Sequence, residues 1–217
     1  MPPPPSRWRG KCEFKGSYCN NKLIGARSFD LVAKTKNGTT SSPVDEDGHE
    51  THTSSIAAGS FVQNAEALGN AKGTVVGMAP HAHLAMYKVC SVDGCAGSDI
   101  LASLDAAIHD GVDVISISLG GDPGTPMYED TIAIGTYAAM QKGIFVSSSA
   151  GNFGPFNGTV SNEAPWYLSV GASTVNRKFY VSARLGNGLV LEGESLSRDF
   201  NPTVAWPTLK LPISTVG

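Results

Sequence analysis

The pattern of apolar and polar positions predicts two helices in the middle of the chain. From Ser98, a good N-cap, apolar residues recur at helical spacing until Gly111 ends the helix. A second helix is predicted over residues 129–142, with Gly143 as its stop. The inward faces are predicted to be Ile100, Leu101, Leu104, Ala107 and Ile108 in the first helix and Ile132, Ile134, Tyr137, Ala138 and Met140 in the second.

Strands are predicted on either side of these helices. Residues 83–89 alternate in polarity, and the β-branched run 112–119 is apolar enough for a buried parallel strand. Shorter strands at 144–146 and 167–171 complete a strand–helix–strand–helix–strand order. This order predicts an α/β fold, a parallel sheet with helices on both faces. Sites in such sheets form beyond the carboxyl ends of the strands.

Three regions are predicted along the chain. Residues 1–46 are rich in loops, and residues 47–196 carry the regular pattern of the core. Residues 197–217 are irregular, because three prolines break any periodic pattern there: Pro202, Pro207 and Pro212.

Composition narrows the classes of partner. The 217 residues are 41% hydrophobic and 16% charged, with a formal net charge of −3, which favours a globular domain over a disordered one. Without a basic block, nucleic acid is a poor candidate partner. No apolar run approaches the roughly 20 residues of a membrane span. Composition does not predict the oligomeric state.

Cysteines and sequons favour the secretory route. Asn37 and Asn157 each begin an Asn-Gly-Thr sequon and are candidate glycosylation sites. Met1 is followed by a proline-rich start rather than an apolar signal region, so we expect a piece of a longer precursor or a truncated gene model. Four cysteines lie at C-x6-C and C-x4-C spacings, and each pair could close a short disulfide: Cys12, Cys19, Cys90 and Cys95.

Two segments carry candidate chemistry. His49 and His52 open a small-residue helix, predicted from about residue 51 to 58 and stopped by Gly59. Asn152 follows the strand at 144–146 in a turn of small residues, where a peptide carbonyl could approach its amide. A proton acceptor and an amide donor are two parts of an acyl-transfer site.

The same residues also have simpler interpretations without catalysis. Histidines at i and i+3 do not match the i, i+4 spacing of a zinc protease helix, so no metal or other cofactor is expected. Ordinary helix-start histidines and a turn asparagine are the simpler alternatives, and structural roles are favoured for His81, His83 and His109. The residues that end the strand at 112–119, from Ser118 to Gly121, form either a plain loop exit or an edge on which an extended peptide adds as a strand.

Motifs that follow one another over residues 7–195 resemble, in content and in order, those of the plant subtilisin-like serine proteases (subtilases, peptidase S8). The matching segments are Arg7-Trp8-Arg9-Gly10-Lys11-Cys12, Asp47-Gly48-His49-x-Thr51-His52-Thr53, Gly77-Met78-Ala79-Pro80, Tyr87-Lys88-Val89-Cys90, Asp110-Gly111-Val112-Asp113-Val114, Ser118-Leu119-Gly120-Gly121, Ser149-Ala150-Gly151-Asn152 and Asn162-Glu163-Ala164-Pro165-Trp166.

The resemblance implies a subtilisin-like fold, serine endopeptidase activity, an extended polypeptide as substrate, and secretion to the apoplast or cell wall. His49 inherits the role of general base and Asn152 that of oxyanion donor. The disulfides Cys12–Cys19 and Cys90–Cys95 are implied as well. The residues implied to line the substrate cleft are Ser118, Leu119, Gly120, Ser149, Ala150 and Gly151.

Two departures from the family pattern affect activity. Neither the family's Asp-Thr/Ser-Gly motif nor its Gly-Thr-Ser-Met-Ala type motif occurs in the sequence, so the fold is expected to be truncated at both ends and the chain inactive alone. At position 50 the chain has glutamate where the family has glycine. The negative charge of this side chain favours the protonated imidazole of the adjacent His49, so His49 is expected to be a poorer base. The alternative function is a non-catalytic, peptide-binding or non-functional remnant. A nucleotide-binding protein is disfavoured, because no Gly-x-Gly-x-x-Gly follows a predicted strand.

Overall fold

The computed structural model describes residues 1–16, 18–31, 42–91 and 94–194. Within them the helices are α1 (His49–Ala58), α2 (Gly97–Asp110) and α3 (Thr131–Gln141). The strands are β1 (Leu23–Ser28), β2 (Val62–Ala67), β3 (Asn70–Val75), β4 (Leu84–Lys88), β5 (Cys90–Ser91), β6 (Gly94–Cys95), β7 (Val114–Ile117), β8 (Phe145–Ser149), β9 (Leu168–Val170), β10 (Tyr180–Arg184) and β11 (Val190–Glu194).

Parallel strands form the centre of the fold, as the sequence predicts. Strands β1 and β4 make one parallel ladder, and β7, β8 and β9 make another in that order. Helices α2 and α3 pack on each other and on the second ladder. Their shared core contains Val89, Ile100, Leu104, Ala107, Ile115, Ile117, Ile132, Ala139, Ile144 and Val146. The α/β class with a parallel sheet is therefore confirmed.

The second ladder buries one face within the described residues. Ile115, Ile117 and Val146 face the core, whereas Val114 and Phe145 are more than half exposed, at 58% and 56%. The run 112–119 was predicted as a buried parallel strand, but the burial of its residues alternates over Val114–Ile117. Among the described helices, α3 packs against β8 and α2 against β4, and the placement of helices on both faces of the sheet stays a prediction.

Two details of the helices differ from prediction. Helix α2 begins at Gly97 with Ala96 as its N-cap and no capping side chain, so Ser98 is not the cap. The predicted inward face of α3 holds only for Ile132, because Ile134, Tyr137 and Met140 are exposed. The reason is close helix packing: a Cβ at Gly135 would lie 2.5 Å from the Leu104 side chain. Apart from Ile132, the buried positions of α3 are therefore small residues: Ala133, Gly135, Thr136 and Ala139.

A buried carboxylate ties the first ladder to α2. Asp110, at the end of α2, accepts hydrogen bonds from Tyr87 Oη at 2.9 Å and Arg27 Nη1 at 3.3 Å. Burial, followed by the hydrogen bond to Asp110, raises the pKa of the Tyr87 phenol well above its usual range. The backbone carbonyl of Asp110 also accepts from Arg9 N at 3.0 Å. The tryptophan–arginine segment near the N-terminus is thus anchored to the end of this helix.

Two compact units divide the chain. The first comprises Met1–Ser60 and Val76–Ser173, and it contains α1, α2, α3 and both parallel ladders. The described part of the second comprises Phe61–Val75 and residues 174–194, which form the antiparallel hairpins β2–β3 and β10–β11. The region boundaries proposed from sequence at 46 and 196 remain predictions, and residues 197–217 lie outside the described part.

Both disulfides implied by the family resemblance are present. Cys12 is bonded to Cys19, and Cys90 to Cys95. Cys90 and Cys95 face each other across the short β5–β6 hairpin. Separately, among the described residues no helix is long and apolar enough to cross a membrane.

Candidate active site

His49 is the first residue of α1 and projects from an exposed helix end. Gly48 precedes it with a left-handed backbone, φ 94°, a conformation that glycine adopts without strain. The His49 side chain is 51% exposed. Of the ten residues of α1 only Ala58 is buried, so apolar packing fixes little of this helix.

The carboxylate of Asp45 holds the start of α1. It accepts from the backbone N–H groups of Gly48 and Thr51, each at 2.8 Å, and from Thr51 Oγ1 at 2.7 Å. These hydrogen bonds, that from the Thr51 hydroxyl first, lower the pKa of Asp45 to about 2. Sequence reasoning assigned no role to Asp45. In the structure its carboxylate caps the turn that carries His49.

The other end of α1 is fixed by backbone contacts. Gly77 N donates to the Gly59 carbonyl, while Met78 N and Ala79 N donate to the carbonyls of Ile56 and Ala57. A Cβ at Gly77 would lie 2.2 Å from Gly59 N, so the close approach requires glycine there. The Gly-Met-Ala-Pro motif thus clamps the helix that carries the candidate base.

Glu50 lies next to the candidate base and is accommodated without crowding. Its Oε1 is 3.4 Å from His49 Nδ1, and its side chain is 42% exposed. The glycine expected from the family pattern is therefore not required by the described backbone.

The two segments predicted to line a cleft lie side by side at the carboxyl ends of β7 and β8, and this end of the ladder is called the edge below. Ser118–Gly120 follows β7 and Ser149–Gly151 ends β8, two strands that pair in parallel register. Asn162 joins them, because its Nδ2 donates to the carbonyls of Leu119 and Ser149, each at 2.8 Å. Asn162 is only 5% exposed, so this bridge belongs to the interior.

Ser161 adds a second bridge to the same edge. Its N–H donates to the Ala150 carbonyl at 3.0 Å, and its Oγ donates to the Gly121 carbonyl at 3.1 Å. Gly151 has φ +82°, and a Cβ there would lie 2.9 Å from Ser161 Oγ. Sequence reasoning assigned no role to Ser161 or Asn162. The signal that could have found Asn162 is the family motif that begins with it, but that motif served only to identify the family resemblance.

Asn152 follows this braced edge and is exposed to solvent. Among the described contacts, no hydrogen bond joins its side chain to His49. Their roles as oxyanion donor and general base are therefore still predictions. Within the described residues, no group of three or more His, Cys, Asp or Glu side chains is placed to hold a metal ion. Asn157 is exposed in a turn, whereas Asn37 lies outside the described residues.

The fold and this edge define a parallel α/β protein in which a buried asparagine joins the carboxyl ends of two adjacent strands. Comparison with known proteins identifies the family. Residues 12–212 match the profile of the Subtilase family, Peptidase S8. The chain therefore belongs to the subtilase family of subtilisin-like serine proteases.

Individual relatives agree with this membership. Subtilisin-like protease SBT1.6 of Arabidopsis thaliana is 54% identical over 208 residues, which cover 89% of this chain and 27% of that protein. Subtilisin-like protease SBT1.2 of the same plant is 50% identical over 209 residues, covering 90% of this chain and 27% of that protein. The chain thus spans about a quarter of the length of these curated relatives, 27% in each.

A solved structure shares the fold. MycP1 with its N-terminal propeptide removed matches 70% of this chain and 51% of that chain, with a TM-score of 0.52. The sequences are 23% identical, so the likeness concerns the fold alone.

Proposed function

We propose that the chain is part of the catalytic domain of a serine endopeptidase that cleaves extended polypeptides. In this proposal His49 is the general base and Asn152 donates to the oxyanion. The segments Ser118–Gly120 and Ser149–Gly151 bind the substrate backbone as an added strand. The observation that carries the proposal is the Asn162 bridge, which brings these two segments to one edge before any substrate is present.

Catalysis by the whole site is tested by grafting. Residues 7–195 would replace the matching segment of Arabidopsis SBT1.2, and peptidase activity would be measured with His49→Ala, Asn152→Ala and a control, His109→Ala, whose side chain is 75% exposed. We expect His49→Ala to abolish turnover. We expect Asn152→Ala to lower kcat by about 10²–10³, a figure taken over from subtilisin. Full activity of either variant would contradict the proposal.

The effect of Glu50 is tested in the same graft. Glu50→Gly removes the carboxylate 3.4 Å from His49 Nδ1, and we expect it to raise peptidase activity. Glu46→Gly, which changes an exposed carboxylate before the helix, is the control. Unchanged activity of Glu50→Gly would show that this carboxylate does not limit the base.

Peptide binding without catalysis is the second candidate function. The braced edge is complete within the described residues, whereas neither the family's Asp motif nor its Ser motif occurs in the sequence. We propose that the 217-residue chain alone binds extended peptides and is not labelled by a fluorophosphonate probe. Labelling of this chain would contradict that proposal.

Export to an oxidising compartment is also proposed for the parent protein. Both disulfides and the exposed Asn157 sequon support it, because such bonds persist on the secretory route. When the parent protein is expressed in plant cells, we expect the Asn157→Gln variant to be lighter than the wild type by the mass of one N-glycan.

A further inference from the structure

Three asparagines of the chain are each followed directly by glycine: Asn37, Asn157 and Asn187. Asn37 lies outside the described residues, whereas the other two lie in described turns. In such a pair the backbone nitrogen of the glycine can attack the side-chain amide carbon of the asparagine, because glycine has no Cβ to hinder the approach. The two described pairs differ in the hydrogen bonds that hold these reacting groups.

Space and backbone conformation do not distinguish the two pairs. Asn157 and Asn187 are both exposed. Gly158 and Gly188 both have a left-handed backbone, with φ +73° and +85°. No atom lies within 4 Å of a Cβ built on either glycine. The attack is therefore equally open to both pairs as far as crowding is concerned.

Hydrogen bonds hold both reacting groups of the Asn187 pair. Gly188 N donates to the Leu185 carbonyl at 2.9 Å, and Asn187 Oδ1 accepts from Leu189 N at 3.0 Å. These bonds belong to the turn that joins β10 to β11. Because the attacking nitrogen and the amide under attack are both bound, both bonds must break before the two groups can react.

The Asn157 pair is not held in this way. The hydroxyl of Thr159 donates to the Phe156 carbonyl at 2.7 Å, a contact across the turn that uses neither reacting group. Within the described part of the chain, neither the Asn157 side chain nor Gly158 N makes a hydrogen bond. No intramolecular bond therefore has to break before Gly158 N approaches the Asn157 amide.

We propose that Asn157 is a site of spontaneous deamidation in the folded protein and that Asn187 is protected. Gly158 N bonds to Cγ of Asn157 and its proton passes to Nδ2, which leaves as ammonia when the Cγ–Nδ2 bond breaks. Water then opens the resulting succinimide at either carbonyl, and the products are aspartate and isoaspartate. No atom is oxidised or reduced, and water is the only co-reactant.

The modified loop is the one that connects Asn152 to Ser161. Either product adds a negative charge to this loop, and isoaspartate also lengthens its backbone by one carbon. The departing Nδ2 is the atom that the proposed glycan would occupy, so the two modifications exclude each other. The inference goes beyond the proposed function, because it requires neither peptidase activity nor peptide binding.

The two pairs are compared within the same molecule. The 217-residue chain, made in a bacterial host without N-glycosylation, is incubated at mildly alkaline pH, both folded and in guanidinium chloride. Mass spectrometry then follows the tryptic peptides 143–177 and 185–198, which contain Asn157 and Asn187. In the folded chain we expect Asn157 to convert about tenfold faster than Asn187, since the hydrogen bonds at Asn187 must first break. In denaturant we expect the two rates to agree within about threefold.

Two glycine variants test the route of the reaction. Gly158→Ala places a methyl group on the attacking residue, and we expect it to slow the conversion of Asn157 several-fold. Gly188→Ala is the matched control, since its glycine has the same left-handed backbone and the same open space. It should leave the rate at Asn157 unchanged. Circular dichroism of both variants checks that the fold is retained.

Four results would overturn the inference. Equal rates at Asn157 and Asn187 in the folded chain would show that the hydrogen bonds do not govern the reaction. Conversion of Asn157 in denaturant but not in the folded chain would show that the fold protects it. Aspartate without isoaspartate, or an unchanged rate at Asn157 in Gly158→Ala, would exclude attack by the Gly158 nitrogen.

Discussion

The two halves of the candidate site are held in opposite ways. The edge formed by Ser118–Gly120 and Ser149–Gly151 is braced from inside by Asn162, which is almost fully buried. The helix that carries His49 is exposed, and its start is held by the partly exposed carboxylate of Asp45. The comparison shows that the edge proposed to bind peptide is held by a buried side chain, whereas the helix that carries the candidate base is attached at the surface. Damage to the edge should therefore destabilise the protein as a whole, and damage to the helix start should loosen one turn.

Removing the Asn162 bridge should have the largest effect. Asn162→Ala deletes both hydrogen bonds to Leu119 and Ser149 and should lower the free energy of unfolding by about 2–4 kcal/mol. Urea denaturation followed by tryptophan fluorescence measures it.

Asn64→Ala is the matched control for that variant. Asn64 has nearly the same left-handed backbone, φ 57° against 58° for Asn162, but it is exposed. It should lose about 1 kcal/mol or less. Equal losses in the two variants would show that backbone strain, and not the bridge, sets the cost.

A methyl group at Gly151 should have the next largest effect. Gly151→Ala places a Cβ 2.9 Å from Ser161 Oγ on a backbone of φ +82°, so we expect a loss of about 1–3 kcal/mol. Gly121→Ala is the control, because no atom lies within 4 Å of its added Cβ. The same urea titration compares them, and a neutral Gly151→Ala would mean that the edge is not tightly braced.

Loss of the Asp45 carboxylate should act locally. Asp45→Ala removes the acceptor for Gly48 N and Thr51 N, and the unfolding free energy should fall by about 1 kcal/mol or less. Hydrogen exchange of the Thr51 amide should nevertheless become clearly faster. Asp47→Ala, an exposed neighbour, is the control. An unchanged exchange rate at Thr51 would contradict the capping role.

The smallest expected effect is a pH dependence confined to α1. The pKa of Asp45 is lowered from 3.8 to about 2 by its hydrogen bonds, so its contribution to the helix start is fully present above about pH 4. It is lost as pH falls through about 2. The Thr51 amide shift should titrate with a midpoint near 2 and lose that step in Asp45→Ala. A midpoint near 3.8 would mean that the carboxylate is free in solution.

Periodicity predicted the parts of the fold that depend on local pattern. The helices α2 and α3 and the strands β4, β7, β8 and β9 were found, since apolar spacing and glycine stops mark them directly. The strand β1 was missed, because it lies in a loop-rich region and is stabilised by pairing with β4. The hairpins β2–β3 and β10–β11 were not anticipated either.

Tertiary contacts decide what periodicity could not. The inward face of α3 was misplaced because the contact of Gly135 with Leu104 selects small residues over larger apolar ones. The candidate base, the amide donor and both edge segments were named from motifs. The residues that brace the edge segments, Asn162 and Ser161, bond to backbone carbonyls distant in sequence, which no spacing rule reveals.

The convergence of His49 and Asn152 on one bound peptide is the central claim. It is tested by a blocked extended peptide carrying a single nitroxide, added to the labelled 217-residue chain. We expect paramagnetic broadening of both the His49 ring signals and the Asn152 side-chain amide by the same label. Broadening of only one of the two groups would contradict the claim.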